Sequence, residues 1–330
     1  MSLVDDLLAG DQRALARVIT RIEDRAPGYR EDVAALHRHA GGAHVIGVTG
    51  PPGAGKSTLV DRIAAAYRER GRTVGVIAVD PASPFTGGAV LGDRIRLGAN
   101  AGDPGVFVRS MSARGTLGGL STATTDAVTA LDAFGTDVVI VETVGAGQNE
   151  VEVVGAADTV AVLVPPGSGD DVQMLKAGVL EIADLFAVNK ADLDGADRTV
   201  RQLREMLQQR RSEGEDDAPA WDPPILETVA DRGEGVEAFV DAVADHLDWL
   251  ESSGRREEQV RERYAAAVRT LLREDTRDLL AEELAARGGL EEQVDRVVAR
   301  ETDPYSVAEA VLAPLRECVR ERREGSGDGE

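Results

Sequence analysis

A doubly wound α/β fold with a mostly parallel sheet is predicted, with a helical preface before it and a helical arm after it. Three observations lead there. Between about residues 44 and 250 short apolar runs alternate with stretches whose apolar residues recur at helical spacing; the first run leads into a glycine-rich turn that opens a helix; and outside that zone helical periodicity alone remains. The expected boundaries are 1–42 for the preface, 43–252 for the α/β domain and 253–330 for the arm with a frayed tail.

The preface places Leu15, Val18, Ile19 and Ile22 on one helix face. Strands are predicted over 44–49, 73–80, 106–109, 137–142, 159–164, 185–189 and 225–229. Helices are predicted between them over 57–70, 121–133, 171–181, 197–210 and 235–250. Bound ligands then belong at the carboxyl ends of the strands. Past residue 252 the segments 259–287, 290–300 and 306–323 are rich in Ala, Leu, Glu and Arg, and Ser306-Val307-Ala308-Glu309 after Pro304 has the pattern of a capping box. Residues 212–223 are acidic and contain prolines, as an exposed loop would. The arm is too thin for a large core of its own, which suits packing on the main domain or on a second subunit.

A formal net charge of −22 repels nucleic acid and anionic membranes at long range, so neither is an expected partner. The same acidity with scarce lysine resembles proteins that stay soluble in molar salt, so a halophilic source is expected; a GC-rich genome would explain the arginine bias alone. Cys318 is the one cysteine and has no internal disulfide partner, as in a reducing compartment. The start, Met1-Ser2-Leu3-Val4-Asp5-Asp6, lacks the basic and apolar regions of a secretory signal, and the apolar stretches fall well short of about 18 residues. A soluble cytoplasmic protein is expected.

Three lysines stand against thirty-four arginines, and two of the three occupy motifs that require lysine. Gly50-Pro51-Pro52-Gly53-Ala54-Gly55-Lys56-Ser57 matches the phosphate-binding loop G-x-x-x-x-G-K-[ST] between a strand and a helix. There Gly50, Gly53, Ala54, Gly55 and Thr58 offer backbone to phosphate, Lys56 reaches the β- and γ-phosphates, and the Ser57 hydroxyl ligates Mg²⁺. Asn189-Lys190-Ala191-Asp192 is the N-K-x-D pattern of guanine sites. Asp192 accepts from guanine's N1–H and exocyclic amine, whereas adenine would leave that carboxylate unpaired. Lys190 covers the base and Asn189 ties its loop to the phosphate side. GTP/GDP and Mg²⁺ are the expected cofactors, and a compact ammonium is kept where arginine's planar fork cannot serve.

Glu142 ends an apolar strand where an acidic residue holds Mg²⁺ beside a phosphate loop, and Gly145 follows as the γ-phosphate sensor. Asp80 and Asp93 are further carboxylates for the metal side or, alternatively, turn residues. Ala146 stands where Ras-like GTPases have a water-orienting glutamine, so intrinsic hydrolysis is expected to be slow. Gln148, Glu150, Arg94 and Arg114 are candidates to complete the site or are loop residues, with Gln148 placed with Lys56 and Glu142 in the catalytic set. Val229 and Ala230 follow the last strand, where a final base-contacting loop belongs. Lys176 is a switch contact or a surface lysine. His37, His39 and His44 flank Gly41-Gly42 without ligand-spaced partners and are expected to be solvated.

In this order, the phosphate loop, Val79-Asp80-Pro81, Gly92-Asp93-Arg94, Arg114-Gly115-Thr116-Leu117-Gly118-Gly119, Glu142-Thr143-Val144-Gly145-Ala146-Gly147-Gln148 and Asn189–Asp192 resemble the methylmalonyl-CoA mutase-associated GTPases, the MeaB/ArgK family. The likeness runs from Ala14–Thr20 to about residue 250, and more loosely to 320. It implies a P-loop GTPase that gates adenosylcobalamin loading and protects methylmalonyl-CoA mutase, the mutase stimulating hydrolysis. It also implies metal-side acids at Asp80, Asp93 and Glu142, a third switch at 167–176, and a homodimer through the helical arm.

Three other functional classes stand beside it. A nickel-type metal-delivery GTPase needs Cys and His ligands near the nucleotide, and this chain has one distal cysteine and four scattered histidines. A kinase of a basic amino-acid transport component needs an acceptor protein, which label transfer would reveal. A nucleotide-regulated scaffold with negligible turnover is the further alternative that the missing glutamine permits.

Overall fold

The computed structural model describes residues 2–81, 102–113, 122–143, 155–167, 179–213 and 221–325. The chain divides into two compact units, Met1–Arg263 and Tyr264–Glu330.

The first unit is built on a seven-stranded parallel sheet, from β1 (His44–Thr49), β2 (Val74–Pro81), β3 (Val106–Ala113), β4 (Val138–Thr143), β5 (Thr159–Val164), β6 (Leu185–Asn189) and β7 (Ile225–Thr228). Their order is β3-β2-β4-β1-β5-β6-β7. β1, β4, β5 and β6 are buried along their whole length. That is why they read in the sequence as unbroken apolar runs instead of alternating ones. Beyond β4 the chain crosses to the other side of β1, so the sheet changes direction next to β1 and leaves a crevice at its carboxyl end.

Alternate side chains feed two cores. On one face Ile46, Val48, Val76, Ile140 and Leu163 meet Leu59, Ile63 and Tyr67 of α4 (Lys56–Glu69) and Phe239, Val240 and Val243 of a later helix, Val236–Ser253. On the other, Val45, Ile77, Val139, Val162 and Phe186 meet α5 (Thr122–Ala133), the helix Ala196–Glu213 and the preface. The preface comprises α1 (Leu3–Leu8), α2 (Gln12–Glu23) and α3 (Tyr29–Leu36). The α2 stripe of Leu15, Val18, Ile19 and Ile22 is at most 1% exposed, which stabilises the layer by on the order of 2 kcal/mol per side chain. The remaining helices are α6 (Val179–Ile182), α7 (Ala196–Glu213), α8 (Val236–Ser253), α9 (Arg255–Ala286), α10 (Gly289–Val298) and α11 (Pro304–Gly325).

Three expectations are corrected. β3 continues past 109 to Ala113 in register with β2, because Arg109 turns aside to pair with Glu23 of α2 instead of ending the strand. His44 is not solvated. It starts β1 buried, with Nε2 2.9 Å from Thr159 Oγ1, which lies 2.9 Å from His246 Nδ1. Burial pushes both imidazoles down to about 4. The last helix starts at Pro304, and its cap is Asp303, whose carboxylate accepts from the backbone N–H of Tyr305 and Ser306. Proline at the first helical position with aspartate before it displaces the Ser306 capping box.

In the second unit α10 and α11 pack together, and Gln293 donates to the Arg287 carbonyl at the entry to α10. Tyr264, Val268, Leu272 and Leu279 of α9 are about half exposed. Among the described residues, no helix is long and apolar enough to cross a membrane.

Candidate nucleotide-binding site

Asp132 sets the entry to the central strand: its carboxylate accepts from the N–H groups of Gly41, Gly42 and Ala43. β1 then delivers the chain into the crevice, and the loop 50–55 folds over its end. Glycine is required at two points. Gly50 has φ +140°, and a Cβ there would stand 2.3 Å from the Leu163 carbonyl oxygen; Gly55 has φ +89°, and its Cβ would stand 2.3 Å from Asn189 Nδ2. Gly55 caps α4 without any side-chain hydrogen bond. The first-turn N–H groups of α4 thus have no side-chain cap, an arrangement suited to an anion.

Lys56 is buried, its ammonium 2.6 Å from the Gly50 carbonyl and 3.1 Å from that of Pro51. It is thereby curled over the loop that would cradle phosphate. Ser57 donates from Oγ to Glu142 Oε1 at 2.6 Å, while Thr58 is exposed on the same turn. Glu142 is 2% exposed beside Val48 of β1. A hydroxyl and a carboxylate converging at the mouth of a phosphate loop form a hard oxygen donor set, which fits Mg²⁺. The backbone at Asp80 lies in β2 beside Ser112, but its side chain is outside the described residues, as are Asp93, Gly145 and Gln148.

The second motif lies at the end of β6, next to β5. Asn189 is 1% exposed and makes three side-chain hydrogen bonds. Its Nδ2 donates to the Ala54 carbonyl at 2.8 Å, and its Oδ1 accepts from Thr228 Oγ1 at 3.1 Å and from the Ala230 N–H at 3.2 Å. Lys190 takes a left-handed backbone (φ +61°), and its Nζ donates to the Gly53 carbonyl at 2.8 Å. The structure therefore brings Gly53, Ala54, Asn189, Lys190 and Ala230 into one cluster from three separate loops. Val229 and Ala230 are buried at its wall. Asp192 stands at the rim, paired with Arg232 at 3.0 Å.

Sequence reasoning missed Arg62 and Arg232. Arg62, on α4, donates to the carbonyls of Ala230 and Asp231 at 3.1 and 2.8 Å, so the helix that carries Lys56 also clamps the loop after β7. Neither arginine stands in a local pattern that marks it.

The sequence profile of the family described as methylmalonyl-CoA mutase-associated GTPase MeaB matches residues 15–285. A protein of Pyrococcus abyssi that bears the name of a GTPase is 46% identical over 316 residues, covering 95% of this chain and 96% of its own. GTPase ArgK of Escherichia coli is 37% identical over 265 residues, 78% of each chain. The mitochondrial methylmalonic aciduria type A homolog of Mus musculus is 33% identical over 271 residues, 76% of this chain and 64% of its own. Among solved structures, one described as LAO/AO transport system kinase superposes with a TM-score of 0.69 at 25% identity, covering 95% of this chain and 96% of that one.

Proposed function

This chain belongs to the methylmalonyl-CoA mutase-associated GTPase family MeaB, and we propose that its GTP hydrolysis gates adenosylcobalamin loading into methylmalonyl-CoA mutase and protects that enzyme. It is a P-loop GTPase, as are the relatives it matches along most of its length. The observation that carries the finer reading is the family match over residues 15–285, which embraces both nucleotide motifs. The mouse homolog, named for a disorder of methylmalonate, supports the same partner.

In this reading the backbone of Gly50, Gly53, Ala54, Gly55 and Thr58 receives the phosphates, and Lys56 moves off the Gly50 and Pro51 carbonyls to meet the β- and γ-oxygens. Ser57 and Glu142 hold Mg²⁺, with Asp80 and Asp93 as further carboxylates. When bound, that ion neutralises charge on the phosphate oxygens. Asp192 reads the guanine edge, Lys190 covers its face, and Val229 and Ala230 line the remaining side. Gly145 senses the γ-phosphate, and Gln148 completes the catalytic set with Lys56 and Glu142. Charge on the leaving phosphate is stabilised by Lys56 and by the first-turn N–H groups of α4. The arm, residues 253–330, pairs two copies through the exposed Tyr264, Val268 and Leu272, which recur every four residues on one side of α9.

The test is phosphate release from GTP in molar KCl with Mg²⁺, with and without the source organism's methylmalonyl-CoA mutase. Marked acceleration by the mutase is expected. Slow turnover that the mutase leaves unchanged would remove the chaperone role and leave the GTPase.

A further inference from the structure

The carboxylate assigned to reading the base already holds a partner. Asp192 Oδ2 lies 3.0 Å from Arg232 Nη2. We propose that Arg232 is a gate on the base site: its guanidinium occupies the acceptor face of Asp192 that guanine uses, and nucleotide binding displaces it. The inference rests on the assignment of Asp192 as the base reader.

The chemistry of the two donors is alike. Guanine offers N1–H and an exocyclic amine on one edge; a guanidinium offers N–H groups in a planar fork of similar reach. Guanine's two-point contact takes both carboxylate oxygens, so the Oδ2 that Arg232 Nη2 holds at 3.0 Å is one the base would need. Arg232 therefore competes with the nucleotide for Asp192 Oδ2.

The backbone that carries Arg232 is fixed, so the exchange is a side-chain rotation. The turn after β7 is closed by Val229 N–H to the Glu234 carbonyl at 3.0 Å and by Arg232 N–H to the Val229 carbonyl at 3.0 Å. Arg62 holds the carbonyls of Ala230 and Asp231 from α4. Gly235 ends the turn at φ +77°, where a Cβ would stand 2.2 Å from the Glu227 carbonyl oxygen. Arg232 cannot leave Asp192 by loop movement without breaking these contacts. Its side chain, 57% exposed against 28% for Asp192, has open solvent to rotate into.

Exposure also sets the size of the effect. A partly solvated ion pair is weak and screened by salt, so Arg232 acts as a competitor that eases release and not as a lock. Removing it is expected to tighten nucleotide binding by about two- to five-fold at low ionic strength, the range such pairs span.

The experiment measures dissociation constants and off-rates of fluorescent GDP for the full chain, Arg232→Ala, Asp192→Asn and the double variant, at low and at molar salt. Xanthosine diphosphate serves as ligand where Asp192 is Asn, because its 2-carbonyl accepts from the new amide. Arg232→Ala is expected to tighten GDP and slow its release, with a gain that shrinks in molar salt and vanishes for xanthosine diphosphate in the Asp192→Asn background. Unchanged or weakened GDP binding by Arg232→Ala, or an equal gain in the Asp192→Asn background, would overturn the gate while leaving the base site intact. Failure of the base-site assignment shows differently: Asp192→Asn would retain its preference for guanine over xanthine, and the gate would fall with it.

Discussion

Ser57 Oγ donates to Glu142 Oε1 across 2.6 Å, joining the first turn of α4 to the end of β4. The two residues are 85 positions apart, and the central sheet brings them together because β4 is the direct neighbour of β1. In the proposed function these two oxygens hold Mg²⁺ beside the phosphates.

Glu142→Gln keeps an acceptor for Ser57 but removes the charge. Mg²⁺-dependent GTP hydrolysis is expected to fall on the order of 100-fold, the scale of losing a metal's charge stabilisation. GDP binding in the presence of a chelator should change little. Steady-state phosphate release across a Mg²⁺ titration and GDP affinity in EDTA check the two halves separately.

Asn189→Ala removes three hydrogen bonds from a fully enclosed position. It orphans the Ala54 carbonyl, the Thr228 hydroxyl and the Ala230 N–H together. A loss of roughly 2–3 kcal/mol of stability is expected, read by urea unfolding. GTP affinity should fall with it, because the phosphate loop and the base loop lose their common tie. Unfolding curves that superpose on wild type would contradict the role given to this side chain.

How much was legible depended on whether the signal was local. Strands buried on both faces declare themselves as runs such as Val138-Val139-Ile140-Val141, and the phosphate loop announces itself because Gly50 and Gly55 meet backbone and side chain where no Cβ fits. Asp303-Pro304 was also a readable helix start, passed over for Ser306. Arg62 and Arg232 were not legible: they reach partners 168 and 40 positions away, and nothing beside them in the chain marks them. His44 was misread for the same reason. Gly41-Gly42 suggested an exposed turn, while its burial is decided by Thr159 and His246, which the sheet and α8 bring in from afar.

The proposed pairing of two copies makes Leu272→Glu a direct probe. Leu272 is 62% exposed in the chain by itself, on the side of α9 that also carries Tyr264 and Val268. A carboxylate buried there in a dimer would have no partner and would cost several kcal/mol, so sedimentation should show monomers where the parent chain forms dimers. Its thermal unfolding at low concentration should match the parent, since the side chain is exposed in the monomer. An unchanged sedimentation coefficient would remove α9 from the interface.

Asp184 supplies the pH dependence. Burial raises its carboxyl to about 7 against the hydrogen bond it accepts from the Val160 N–H, and its Oδ1 lies 3.4 Å from His246 Nε2. A raised folded-state pKa means that the native chain holds this proton between about pH 4 and 7 while the unfolded chain has released it. Its contribution is therefore full below pH 4 and is lost as pH rises through 7. His44 and His246, depressed to about 4 by burial, run the other way. They stay neutral in the native chain, so their contribution is present above pH 6.5 and is lost as pH falls through 4. Asp184→Asn removes the first limb alone and leaves an acceptor for Val160. The variant is expected to gain on the order of 4 kcal/mol relative to wild type between pH 4 and 8, about 1.4 kcal/mol for each pH unit over which the native carboxyl keeps its proton, and urea unfolding at pH 4.5, 6 and 8 reads it. A difference between variant and wild type that stays constant across that range would show that Asp184 is ionised throughout in the folded chain.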